Sequence, residues 1–145
     1  IDEAGAAYRR AVAADPASGA ARAGKLALLG LADPQSAESR LRHWLIAHPD
    51  PLPLHFALGN LLARQKRWPE ARQAYARACA GDPANPDYCH NLAVSLDRLH
   101  RPREAEKHYR QALRAQASRP GSIDPEAVAR RLGTVSSGSA EGSRR

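Results

Sequence analysis

Between Leu52 and Asn85, apolar and small residues fall on two stripes at helical spacing. Leu58 and Leu62 stand one turn apart on a first helix, and Ala71, Tyr75 and Ala78 do the same on a second, because residues three or four apart share a helix face. Gly59 and Ala78 are small enough for the two backbones to approach closely, with Tyr75 filling the space beside them. Adding 34 lands on Leu92, Ala93, Leu96, Ala105, Tyr109 and Ala112, and subtracting it lands on Ala37, Leu41 and Pro49. The same helical hairpin is written again along the chain. Neither helix of a pair can hide its stripe alone, so each hairpin must bury it against the next.

The set Leu58-Gly59, Leu62, Ala71, Tyr75, Ala78 and Pro83, with its counterparts one period away, resembles the tetratricopeptide repeat family. The resemblance implies an all-α fold, a right-handed superhelical solenoid of antiparallel helix pairs with a C-terminal capping helix. It also implies a non-enzymatic scaffold that binds a partner in a concave groove lined by the first helices.

Taken in order, residues 1–133 read as a single domain. Ala4, Tyr8, Ala11 and Pro16 repeat the second-helix spacing, so 1–17 is expected to be half of a repeat and the chain a piece of something longer. Residues 18–51 form a degenerate repeat. There strict counting puts Lys25 at a close-contact point where Gly24 fits better, and Gly30-Leu31-Ala32-Asp33-Pro34 reads as a loop absorbing the slip. Trp44 replaces a small residue and is expected to fill the core. The clean repeats are 52–85 and 86–119, the first with Trp68 at the hairpin turn and the second with Ala117 where a proline is expected. In Ile123-Asp124-Pro125-Glu126-Ala127-Val128, Asp124 is the N-cap, Pro125 the first helical residue, and Ile123 reaches forward to Val128 as a hydrophobic staple. Residues 123–133 are the expected cap, with Ala127, Val128 and Leu132 on the last hairpin; 134–145 are too polar to bury anything and read as a disordered tail.

Composition agrees with close helix packing. Of 145 residues, 43% are hydrophobic but only 5% aromatic, with alanine dominating. No apolar run is long enough to span a bilayer. The formal net charge of +7 admits an anionic partner, although arginine bias on solvated faces explains it as well and is the preferred reading.

Catalytic chemistry is not legible. The six histidines form no motif, and neither a phosphate-binding glycine loop nor zinc spacing occurs, so no cofactor or metal is expected. His55, Cys79, Cys89 and His90 are the candidates for a metal cluster and lack paired spacing. Cys79 ends one helix and Cys89 opens the next, close enough to be bridged. Small buried thiols are the preferred reading, and an oxidising compartment favours the bridge.

Binding remains. Away from the buried stripe, the first helices present Phe56, Asn60, Ala63 and Arg64 in one repeat and His90, Asn91, Val94, Asp97 and Arg98 in the next. This mixture suits an extended peptide or a partner helix. The carboxylate clamp of chaperone-tail binders is matched by Asn60 and Asn91 alone, while Phe56 stands where that clamp needs lysine and Asp87 has the wrong sign. Residues 86–132, with Asn91-Leu92-Ala93-Val94-Ser95-Leu96-Asp97, also resemble the terminal repeats of type IV pilus biogenesis proteins of the mannose-sensitive haemagglutinin kind. That likeness implies a bacterial domain on the periplasmic side of a membrane-anchored protein. Two other functions compete. One is nucleic-acid binding by Arg98, Arg101, Arg103, Lys107, Arg110 and Arg114, disfavoured by the scarcity of aromatic stacking platforms; the other is self-association through the first half-repeat.

Overall fold

A computed structural model describes residues 19–121 and 123–133; the expected half-repeat at 1–17 and the expected tail at 134–145 lie outside the described residues. Six long helices follow one another: α1 (Gly19–Ala32), α2 (Pro34–Ala47), α3 (Leu52–Arg64), α4 (Trp68–Gly81), α5 (Pro86–Arg98) and α6 (Pro102–Ser118). A short helix, α7, covers 125–133. The described residues contain no strand. The chain divides into two compact units at the Arg67/Trp68 junction.

In the first unit α1 packs on α2 and α3, and α2 also meets α3. Its core is leucine-rich: Leu26, Ala37, Leu41, Leu54, Leu58, Leu61 and Leu62 are buried. One expectation is corrected here. Gly30, Leu31 and Ala32 are helical, not a loop, and Asp33 alone separates α1 from α2. The corner is that tight because the Asp33 carboxylate accepts from the Ser36 amide at 3.1 Å and the Ser36 hydroxyl at 2.6 Å, while Pro34 supplies a first residue that needs no hydrogen bond. Those hydrogen bonds hold the Asp33 carboxyl below the usual carboxylate range. Trp44 is half-buried, its ring stacked on His48 with centroids 4.0 Å apart. The core of α2 is made instead by Ala37 and Leu41.

In the second unit α5 packs against α4 and α6. Ala71, Ala78, Ala93, Ala105 and Ala112 are fully buried, which is how the backbones come close; Tyr75, Tyr88, Leu92, Leu96 and Tyr109 fill the remaining space. Asn85 caps α5 by accepting from the amides of Asp87 at 3.0 Å and Tyr88 at 3.3 Å. Trp68, expected at the hairpin turn, is the first residue of α4. α6 extends to Ser118, because Ala117 leaves it without a proline stop until Pro120.

The hairpin corners repeat as the sequence does. Lys66 and His100, 34 residues apart, both take φ 59°. In each corner the following amide, Arg67 or Arg101, donates back to Leu62 or Leu96 at 3.0 Å, so helices α3 and α5 end in the same Schellman turn. After α6, Gly121 passes so close to the start of α5 that a Cβ there would lie 2.6 Å from Pro86 Cγ and 2.8 Å from Asp87 Oδ1. Only glycine fits without displacing those atoms. Ile123, Val128 and Leu132 are buried as the staple requires, whereas Ala127 is exposed and Asp124 accepts from the Glu126 amide at 3.0 Å.

Candidate functional site

In the first unit the buried stripe of α3 runs through Leu54, Leu58, Leu61 and Leu62. Phe56, Asn60 and Ala63 are therefore turned partly outward and are half-buried, and Arg64 in the last turn is exposed. His55 lies beside them, its Nε2 2.7 Å from the Pro49 carbonyl. Nearby, Arg67 donates two hydrogen bonds to Glu38, at 2.5 and 3.1 Å. Those bonds hold the Glu38 carboxyl below its usual range against the effect of burial.

In the second unit the equivalent face belongs to α5. His90, Asn91, Val94 and Asp97 are half-buried and Arg98 is exposed. The guanidinium of Arg98 sits over the Trp68 ring, 5.6 Å from its centre, a cation–π contact that holds the cation at the surface. His90 lies 5.8 Å from the Tyr109 ring, and burial pushes its imidazole below its usual pKa, with the hydrogen bond to Asn91 opposing. His90 is thus poised as a neutral, partly shielded group at neutral pH.

Asp97 has a second occupation. Its carboxylate accepts from the Tyr109 hydroxyl at 2.9 Å and from both the Nε and a terminal nitrogen of Arg131. Burial alone would push that carboxyl up, yet Arg131 and Tyr109 overrule it and hold it below the usual range. The Tyr109 hydroxyl moves up, through burial and through the Asp97 charge it faces. Asp97 thereby ties α5, α6 and α7 together. Because its folded pKa is depressed, its contribution is fully present above the unfolded value and is lost as the pH falls through the folded one. Thermal melts are expected to show the Arg131→Ala variant less stable than wild type at pH 7 by about 1 kcal/mol, because the Arg131 side chain keeps 42% exposure and solvent screens the pair. That gap should narrow below about pH 4, and a gap unchanged down to pH 2 would sink the assignment.

The suspected cationic strip is partly neutralised. Arg101 pairs with Glu104 at 2.8 Å and Arg110 with Glu106 at 2.9 Å. Cys79 and Cys89 form a disulfide, which corrects the preference for free thiols. Asp82 and the Asn85 cap turn the chain so sharply between α4 and α5 that the two Cα atoms stand 4.9 Å apart, within bridging distance. Among the described residues, no group of three or more His, Cys, Asp or Glu could hold a metal ion.

Two family models, each described as a tetratricopeptide repeat, match consecutive stretches of the chain, residues 26–86 and 87–117. Residues 26–117 are tetratricopeptide repeats. The tetratricopeptide fold is equally plain in solved structures. The type III secretion translocator chaperone SycD of Yersinia enterocolitica superposes with a TM-score of 0.69 at 16% identity, covering 80% of this chain and 84% of that one. A MamA protein gives a TM-score of 0.69 at 18% identity, covering 94% and 72%. No curated protein matches the sequence. At such identities the likeness concerns the fold alone, and the tetratricopeptide scaffold says how a surface is displayed and not what it recognises.

Arg131 and Tyr109 are the residues that the sequence reading missed as partners of Asp97. The available clue was periodic: Arg131 lies 34 residues after Asp97, so α7 sets a cation where a following repeat would set its own residue.

Proposed function

We propose that the chain is a non-enzymatic protein-interaction scaffold whose first-helix faces hold a partner peptide or helix. The observation that carries this reading is the division of labour along α3: Leu54, Leu58, Leu61 and Leu62 are spent on the core, while Phe56, Asn60 and Ala63 are left half-buried with Arg64 beyond them. An aromatic ring and an amide on one helix face offer an apolar anchor and a main-chain hydrogen-bond partner. The second unit offers His90, Asn91, Val94 and Arg98 on α5, with Asp97 committed in part to Arg131. The Cys79–Cys89 bridge favours an oxidising compartment, which supports a periplasmic setting over a cytoplasmic one. Among the described residues no helix is long and apolar enough to cross a membrane.

A pull-down with this chain, read by mass spectrometry, would supply the partner. With that partner in hand, Phe56→Ala and Asn60→Ala are each expected to weaken binding by about 1–3 kcal/mol, the scale of an interface anchor, with helicity unchanged by circular dichroism. Full affinity in both variants would overturn the α3 assignment.

A further inference from the structure

The second unit carries a separate cleft on its second helices. Its volume is about 560 Å³, and it is lined by Ala76, Cys79 and Ala80 of α4, Leu92 of α5, and Lys107, His108, Gln111 and Arg114 of α6, with Pro83 at one end. None of these residues belongs to the α5 face described above. The cleft exists because α4 turns Ala76 and Ala80, small side chains, towards α6; Leu92 and Cys79, almost fully buried, make its floor. Its α6 wall has the spacing i, i+1, i+4, i+7 along one face.

The charge on this wall has one sign. Lys107 and Arg114 are both exposed, and neither has an ion-pair partner among the described residues, unlike Arg101 and Arg110 on the same surface. No carboxylate lines the cleft. Seven helical residues advance about 10 Å, so two cations stand that far apart with an apolar floor between them. We propose that this cleft docks an acidic amphipathic helix of a protein partner. Two carboxylates seven residues apart on that helix meet Lys107 and Arg114, and the leucine-sized side chains between them enter over Ala76, Ala80 and Leu92. A helix repeats the cation spacing by its own geometry, which an extended strand of the same length does not. The lining holds no Phe, Tyr or Trp, and its one imidazole, His108, has Nδ1 3.0 Å from the Gln111 side-chain oxygen, so the observations favour a peptide over a single-stranded nucleic acid.

The test is fluorescence anisotropy with a labelled alanine- and glutamine-based peptide carrying two glutamates seven residues apart and two leucines between them. A glutamine-for-glutamate peptide and a labelled oligothymidylate complete the set. The glutamate peptide should bind about tenfold more tightly than its glutamine counterpart, and Lys107→Glu with Arg114→Glu should remove that difference. Arg40→Glu with Lys66→Glu, the same charge change in the first unit, should leave binding intact. A lysine-for-glutamate peptide should then bind the Lys107→Glu/Arg114→Glu protein better than wild type. The proposal is overturned if the glutamate peptide fails to bind, if glutamine serves equally, if the two double variants behave alike, or if oligothymidylate binds more tightly through the same two cations. The outcome is separable from the fate of the α3 face, which Phe56→Ala probes independently.

Discussion

Leu96→Ala is expected to destabilise the second unit by about 3–5 kcal/mol, the upper part of the range for truncating a buried leucine. Leu96 is 2% exposed on the face of α5 that packs between α4 and α6, so no solvent-filled space lies beside it to soften the loss. Leu92, one turn earlier, provides the contrast: it is 5% exposed and borders the open cleft, so Leu92→Ala should cost nearer about 2 kcal/mol, because water can reach part of the vacated volume. Urea denaturation followed by far-ultraviolet circular dichroism would order the two variants. A Leu96→Ala cost within about 0.5 kcal/mol of wild type, as for an ordinary surface substitution, would contradict the packing described.

The second large effect concerns the disulfide. Cys79 and Cys89 close a loop with a sequence separation of 10, for which the chain-entropy relation gives about 2.5–3 kcal/mol of stabilisation. Oxidised protein is expected to lose that amount on reduction, read as a lower urea midpoint. Cys79→Ser/Cys89→Ser should start near the reduced value and ignore reductant. The two cysteines of the chain are bonded to one another, so a thiol reagent should find no reactive groups in the oxidised protein, even after unfolding without reductant. Two titratable thiols in that unfolded, oxidised sample would remove the bridge from the account.

How far the sequence could be read depended on which physical rule decided each element. Repeated small-plus-apolar spacing located α3 to α6 to within a few residues, because burial of Leu58, Ala71, Ala78, Leu92 and Ala105 is a demand that every stacked hairpin makes. It failed where local chemistry outranked period. Gly30 looked like a breaker, yet a glycine inside a helix costs only about 1 kcal/mol, and the Asp33-Pro34 pair was the stronger stop signal. Trp44, assigned inward on aromatic habit, is so only in part: its indole nitrogen is buried, but the residue is half-exposed and its ring stacks on His48, one turn on. The cysteine state turned on a Cα separation set by the Asp82–Asn85 turn, which spacing alone does not contain. For the candidate site, helix periodicity separated outward from inward positions on α3, whereas the commitment of Asp97 depended on where α7 returned. That contact joins residues far apart in the chain.

The Asp97–Arg131 contact also means that residues 125–133 and α6 lean on one carboxylate. Because the Tyr109 hydroxyl and the Arg131 guanidinium share it, loosening the short helix would be felt at Tyr109, inside the second unit.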